Sequence, residues 1–148
     1  LDNVIKLSKF AKIAGIPVVL TEQDKLGRTI KEVQDEIPNI QAIGKVHFNC
    51  FFCSEFAHEI SRIGRKTLII AGVEAHICVA QTAIHALSDF NVHVIGDAVS
   101  SRTQENRLIA LERIKLSGAF ISSTEMFIYE ILQKAGTDEF KTALQLVK

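Results

Sequence analysis

A buried strand that leads directly into a glycine turn and a helix constrains the fold of this chain most strongly. Residues 67–71 form a largely apolar run, Gly72 follows it, and the apolar residues from Ile77 onward have helical spacing. Cys78 falls in the predicted first turn of that helix, at the carboxyl edge of the strand. The positive end of a helix dipole at this place favours a thiolate. The pattern therefore predicts an α/β fold with a thiol above one edge of its sheet.

Short apolar runs and helical patterns alternate along the rest of the chain. Helices between successive strands are typical of βαβ units, which build a parallel sheet with right-handed crossovers. The polar stretch 22–41 predicts a long loop, and no linker interrupts the pattern, so we expect one domain. The other predicted strands are 16–21, 43–46, 92–96 and 119–122, and the predicted helices are 4–14, 51–63, 77–90, 104–117, 124–132 and 138–147.

Composition and charge narrow the classes of partner. The 148 residues are 47% hydrophobic, which is enough apolar material for one packed core. Lysine plus arginine and aspartate plus glutamate both number 17, so neither a nucleic acid nor a membrane surface is expected as partner. No apolar run reaches the length of a membrane span. Three cysteines, an odd number, are typical of a reducing intracellular compartment, and we therefore expect a cytoplasmic protein.

Ligands of parallel α/β sheets gather beyond the carboxyl ends of the strands. The stretches at that edge are 21–23, Lys45 with Phe48, and 72–78. Cys78 is either a nucleophile presented by the glycine turn or a small core side chain, because free cysteine is often buried. Lys45 is either a solvated surface charge or a cation that stabilises the thiolate and moves a proton. His76 lies in the same turn and is a candidate pocket residue.

Cys50 and Cys53 form a Cys-x-x-Cys pair beside a predicted helix start. There is no second such pair and no pair of histidines at metal-ligand spacing, so we expect no metal site. The pair is either packed on one apolar helix face with Phe56 or active in redox chemistry. Asp97, after the strand 92–96, is either another carboxylate at the sheet edge or a cap for the loop that follows.

Several motifs together resemble the isochorismatase-like superfamily of cysteine hydrolases. Residues 70–80, Ile-Ala-Gly-Val-Glu-Ala-His-Ile-Cys-Val-Ala, closely match the cysteine motif of that superfamily. Residues 16–23 are similar to its second strand, and residues 44–48, Gly-Lys-Val-His-Phe, are similar to its lysine-bearing segment. Three later stretches resemble the isochorismatase domain-containing proteins of eukaryotes in particular, namely 97–103, 107–113 and 117–125.

The resemblance implies a three-layer α/β/α fold with a mostly parallel, Rossmann-like sheet and an Asp–Lys–Cys catalytic set. Cys78 is then the nucleophile and Lys45 its charged partner. A cis peptide between Val73 and Glu74 is implied as well, with an oxyanion hole formed by the backbone N–H groups of Glu74 and Cys78. No cofactor is implied, the substrate is a small molecule, and members commonly form homo-oligomers. The residues expected in the pocket are Gln23, Phe48 and His76.

The sequence departs from the family pattern at two places. In the family the catalytic Asp ends a first, central strand that precedes the opening helix, whereas this sequence begins inside that helix. We therefore expect the domain formed by residues 1–148 to lack a strand that carries the Asp. Nicotinamidases of the superfamily have histidine metal ligands after the second strand, but residues 22–25 contain none. Metal-dependent nicotinamide hydrolysis is therefore disfavoured.

Two functions from different classes follow from these residues. The first is a hydrolase in which Cys78 and Lys45 act on a small amide-type or ester-type substrate. The second is a catalytically silent isochorismatase-like fold that serves as an oligomeric binding or scaffold protein. A short distance between Lys45 Nζ and Cys78 Sγ, together with a pocket above Cys78, favours the hydrolase. A long distance, or no pocket above Cys78, favours the scaffold.

Overall fold

Parallel strands with helices on both sides make up the computed structural model, which describes residues 1–147. The strands are β1 (Thr21–Gln23), β2 (Ile43–Lys45), β3 (Thr67–Val73), β4 (Asn91–Ser100) and β5 (Phe120–Ser122). The helices are α1 (Asp2–Ile13), α2 (Lys31–Gln34), α3 (Ser54–Ile63), α4 (Ala80–Ala86), α5 (Gln104–Leu116), α6 (Thr124–Leu132) and α7 (Asp138–Val147). A 3₁₀ turn at Cys50–Phe52 precedes α3, and a π-helical turn at Ala75–Val79 precedes α4.

Strand β4 shows why the fold has three layers. Successive side chains of a strand point to opposite faces. Val94 therefore packs in an apolar cluster with α4 and α5, whereas Ile95 packs in a second cluster with α1, α6 and α7. Both side chains are fully buried, and so are Ile114 of α5 and Phe10 of α1. The predicted three-layer α/β/α architecture is thus confirmed.

The strands form two hydrogen-bonded sheets, both of them parallel. One sheet contains β1 and β2, with Gln23 opposite Lys45 at its carboxyl end. The other has the order β3–β4–β5, with Val73 opposite Ser100 at the carboxyl ends of β3 and β4. Because all pairings are parallel, the polar residues that follow the strands collect at one edge.

A gap separates β1 from β3. Within residues 1–147, β1 forms strand hydrogen bonds only with β2, and β3 forms them only with β4. The segment that leads into β1 nevertheless packs in the same clusters as β3. Val19 and Leu68 share one apolar cluster, and Ile16 and Ile69 share another. The two sheets are therefore joined by apolar packing and not by strand pairing.

Two predicted helices begin or end differently in the structure. The helix predicted at 51–63 is interrupted at Cys53, whose backbone is extended, because the Asn49 side chain accepts the Phe51 N–H and caps a separate 3₁₀ turn. The helix predicted at 77–90 is a π-helical turn followed by the short α4. Cys78 therefore lies in the π-helical turn that opens this helical segment, and α4 continues the segment without a break. Strand β1 also begins at Thr21, later than predicted, because residues 16–20 have no strand partner.

Candidate active site

Cys78 lies where β3 passes into α4. The residue is half-buried in the π-helical turn, and its thiol is free. Ala75 and Val79, on either side of it, are buried in the cluster under α4 and α5, which holds the turn against the sheet. The sulfur is therefore carried on a well-packed segment at the carboxyl edge of the strands.

Lys45 is the last residue of β2, and it is buried, with only 5% of its surface exposed. Its Nζ lies 3.6 Å from Cys78 Sγ. The ammonium also donates to Gln23 Oε1 at 2.6 Å and to the carbonyl of His47 at 3.0 Å, and it lies 3.5 Å from the carbonyl of Phe48. Cation and thiol are thus brought together from the two separate sheets.

The surroundings of Lys45 contain no negative partner in residues 1–147. No carboxylate oxygen there lies within 4.0 Å of its Nζ, and the oxygens that it contacts are neutral. A buried ammonium is costly unless it is paired as well as hydrogen-bonded. A thiolate on Cys78 would supply the missing negative charge.

Gln23 lines the cleft beside Lys45, as expected, and it also fixes the lysine head group. Its Oε1 accepts the short hydrogen bond from Lys45, and its Nε2 donates to the carbonyl of Val46 at 2.8 Å. Both ends of the amide are therefore used to fix the lysine head group. The parallel register, which sets Gln23 opposite Lys45, brings the two side chains together.

One buried polar residue near the site was missed by the sequence reasoning. Thr82 is only 4% exposed. The Thr82 hydroxyl accepts the Cys50 N–H at 3.0 Å, which joins α4 to the segment after β2. A threonine in an apolar helix carries no sequence signal for such a contact, because its partner is 32 residues away.

Cys50 and Cys53 lie apart from the reactive pair. Cys50 is buried with Ile43 and Phe56, and its Sγ is 3.9 Å from Thr21 Oγ1. Cys53 is half-buried, with Sγ 3.9 Å from the carbonyl of Gly44. Both are free thiols in this structure. Both pack in the cluster that contains Phe56, but they lie in a 3₁₀ turn and at an extended residue, not on the single helix face that was predicted.

The turn that precedes Cys78 carries a second polar group. Val73–Glu74 is a cis peptide. The Glu74 carboxylate accepts the Arg102 N–H at 3.1 Å and lies 3.5 Å from His76 Nδ1. That His76 nitrogen is hydrogen-bonded to Ser101 Oγ at 2.9 Å.

An open cleft of about 620 Å³ lies beside the lysine. Its wall includes Gln23 and Lys45, whereas Phe48, His76 and Cys78 lie outside it. Phe48 reaches the site through its carbonyl oxygen, and its ring is exposed. The other lining residues are Glu22, Asp24, Lys25, Gly27, Gly44, Val46, His47, Phe52, Cys53 and Ser54.

Asp97 is used in the fold. Its Oδ1 accepts both the backbone N–H and the hydroxyl of Thr124, at 2.8 and 2.9 Å, and so holds the first residue of α6. This is the capping role, although the helix capped is α6 and not the one that follows directly. No three side chains of His, Cys, Asp or Glu converge as a metal site in the described part of the chain.

Glu22 gives the cleft a pH-dependent wall. Its carboxylate accepts the Thr29 N–H at 2.7 Å, and this hydrogen bond holds the pKa of Glu22 below its usual range. This hydrogen bond therefore stabilises the loop fully above the ordinary pKa of a glutamate. The stabilisation is lost as the pH falls through the lowered pKa that Glu22 has in the folded state. In an NMR titration we expect the Thr29 amide resonance to move in that acidic range and to lose the transition in Glu22→Gln. A transition that persists in the variant would contradict this assignment.

Curated relatives match most of the chain. The secreted isochorismatase effector Isc1 of Phytophthora sojae is 38% identical over 145 residues, which are 93% of this chain and 69% of the relative. The isochorismatase domain-containing protein 2 of Bos taurus is 34% identical over 146 residues, which are 97% of this chain and 70% of the relative. The first of these is named as secreted, so the cytoplasmic location stays a prediction. No helix in residues 1–147 has both the length and the apolar character needed to cross a bilayer.

Solved structures give the same family. The MAR1 ribonuclease of Caenorhabditis elegans superposes with a TM-score of 0.90 at 29% identity, covering 99% of this chain and 77% of that one. The YcaC gene product of Escherichia coli, described as an octameric hydrolase of unknown specificity, gives 0.90 at 26% identity and covers 98% and 74%. The isochorismatase domain model matches residues 1–126. The resemblance inferred from the motifs is thus confirmed, and the chain belongs to the isochorismatase family.

Proposed function

We propose that this chain is a hydrolase in which Cys78 attacks a small amide-type or ester-type substrate and Lys45 supports the reacting thiolate. The observation that carries the proposal is the 3.6 Å approach of Lys45 Nζ to Cys78 Sγ, with the lysine buried and without a carboxylate partner. A cation beside a thiol stabilises the thiolate, which is the nucleophilic form. The short distance favours a hydrolase over a silent scaffold, whereas the position of Cys78 outside the wall of the cleft favours the scaffold.

The proposed reaction has two steps. The Cys78 thiolate attacks the carbonyl carbon, the S–C bond forms, and the C–N or C–O bond to the leaving group breaks. The leaving group departs with the proton taken from the thiol. Water then attacks the thioester, releases a carboxylic acid and restores the thiol. The backbone N–H groups of Glu74 and Cys78 are the proposed donors to the oxyanion.

A further strand completes the proposed site. The gap between β1 and β3 presents two parallel strand edges, and unpaired backbone groups at such edges are costly when buried. A strand parallel to both would end beside Lys45, where a carboxylate at its last residue would pair with the ammonium and carry the thiol proton. We infer that this strand comes from outside residues 1–148, as the family resemblance implies.

The names of two structural neighbours suggest an oligomeric state and a second substrate class for this chain. One structural neighbour is described as octameric, which supports a homo-oligomer for this chain. Another is titled a ribonuclease, which makes RNA a second candidate substrate. The zero net charge of this chain does not favour an anionic polymer. We therefore place the small-molecule substrate first.

Alkylation of the native protein tests the nucleophile. We expect Cys78 to react with iodoacetamide at near-neutral pH about tenfold faster than free cysteine, because the Lys45 ammonium beside it stabilises the attacking sulfur. Peptide mapping by mass spectrometry resolves Cys78 from the half-buried Cys53, which serves as an internal reference. A Cys78 that reacts no faster than free cysteine would contradict the proposal.

A substrate screen separates the remaining candidates. Small amides, small esters and a short RNA are offered to the native protein and to its Cys78→Ser variant. Hydrolysis of an amide or ester that disappears in Cys78→Ser supports the proposal. Cleavage of RNA that persists in the variant would instead favour the ribonuclease candidate. If none of the three kinds of compound is hydrolysed and Cys78 is alkylated no faster than free cysteine, the scaffold function is favoured.

A further inference from the structure

A group of four side chains lies beyond the paired carboxyl ends of β3 and β4. The last residue pair there is Val73 with Ser100. After it the backbone pairing stops, and side chains connect the two loops. The members of this group, called here the turn clasp, are Glu74, His76, Ser101 and Arg102.

Glu74 is the centre of the turn clasp. Its Oε2 accepts the backbone N–H of Arg102 at 3.1 Å and lies 3.6 Å from the Arg102 guanidinium Nε. The same oxygen lies 3.5 Å from His76 Nδ1, which is itself hydrogen-bonded to Ser101. Two residues of the cysteine turn are thereby joined to two residues of the loop after β4. The side chains of Glu74 and His76 are only 29% and 20% exposed, so water competes weakly for these bonds.

The cysteine turn is also restrained from within and from below. The N–H groups of Ile77 and Val79 donate to the Glu74 carbonyl, and the buried residues Ala75 and Val79 pack inward against α4 and α5. The side-chain contacts of Glu74 and His76 add a restraint from the loop after β4. They restrain the orientation of the turn, because hydrogen bonds depend on angle as well as distance.

We propose that the turn clasp positions Cys78 against Lys45, with Glu74 as its principal positioning residue. This inference rests on the proposed function of Cys78 and adds a residue that the chemistry of the thiol does not itself require. Glu74 would act through the turn, without touching the sulfur. Loss of its carboxylate would let the turn rotate and would separate the thiol from the ammonium that supports it.

The test compares Glu74→Ala with Glu74→Gln in the native protein. Alanine removes the acceptor, whereas the glutamine amide oxygen can still accept the Arg102 N–H. We expect iodoacetamide to alkylate Cys78 about tenfold more slowly in Glu74→Ala, and Glu74→Gln to restore most of the rate. Site-resolved mass spectrometry reports Cys50 in the same sample. Because Cys50 is buried, its rate rises only if the fold opens. Glu59→Gln, which alters an exposed pair with Arg62 far along the chain, is the matched control.

The outcomes separate this inference from the proposed function. If native Cys78 reacts like free cysteine, the proposed function fails first. If native Cys78 is fast and Glu74→Ala is equally fast, the turn clasp is overturned alone. Equal slowing in the alanine and glutamine variants would assign the effect to charge and not to positioning. Faster Cys50 alkylation would assign the effect to loss of the fold. Either result overturns the inference. If Glu74→Ala does not fold, the Ser101→Ala variant is used in its place. We expect Cys78 alkylation to slow about threefold in Ser101→Ala, because the hydrogen bond to His76 is lost, and an unchanged rate would overturn the inference.

Discussion

Replacing Lys45 by methionine is expected to slow iodoacetamide alkylation of Cys78 about tenfold at near-neutral pH, since the thiolate loses its neighbouring cation. The same substitution should also lower the free energy of unfolding. Methionine cannot donate to Gln23 Oε1 or to the carbonyl of His47, so these acceptors lose their buried donor. Alkylation kinetics and urea unfolding measure the two quantities in the same preparation.

The alkylation rate and the free energy of unfolding together distinguish a lysine that activates the thiol from one that only stabilises the fold. A lysine that mainly stabilised the fold would lower stability when removed and would leave the thiol unaffected. Lys9→Met is the matched control, because Lys9 is a partly exposed lysine that pairs with Glu36 away from the site. Unchanged Cys78 alkylation in Lys45→Met would refute the role assigned to the lysine, whatever the unfolding curve shows.

The second large effect concerns the gap between β1 and β3. If the strand that we infer fills the gap, the backbone amides of 67–73 on that side should exchange with deuterium about a thousandfold more slowly than freely exposed amides in the native protein. Hydrogen exchange read by NMR measures each amide separately. The amides of 91–96 in β4, a strand paired on both sides, are the internal standard.

Fast exchange confined to the gap side of β3 would contradict the added strand. It would also remove the carboxylate that we propose as the partner of Lys45 and the proton carrier of the reaction. In that case the thiol could still be alkylated quickly, because its activation by Lys45 depends on residues within the chain. Thiol activation and completion of the sheet are therefore tested independently.

Most of the architecture could be predicted from local patterns. The glycine that follows α3 adopts the left-handed conformation expected of a helix stop, and the helix predicted at 104–117 is α5, with Thr103 as its cap. Element ends were less predictable where long-range contacts determine them. The interruption at Cys53 follows from the Asn49 cap, and the π-helical turn at Ala75–Val79 has no periodicity of its own. A pattern of apolar residues cannot distinguish an α-helical from a π-helical turn here, since five residues are too few to show a difference in period.

The candidate site divides in the same way. Cys78 and Lys45 could be named from their motifs, because each follows or ends an apolar strand. The roles of Gln23 and Glu74 could not be predicted. A glutamine or glutamate at a strand end can line a pocket, face solvent or hydrogen-bond to a neighbouring loop. Distances of 2.6 Å to Lys45 Nζ and 3.1 Å to the Arg102 N–H distinguish these uses.

By itself, the sequence determined the layered α/β class, the family and the identity of the thiol and the cation, since these depend on patterns within one segment at a time. Only the tertiary structure decided that Lys45 is buried without a carboxylate beside it, that Gln23 holds it and that Glu74 joins two loops. These facts depend on which segments meet after folding. Burial, charge pairing and hydrogen-bond distance are properties of that meeting, and residues far apart in the chain create them together.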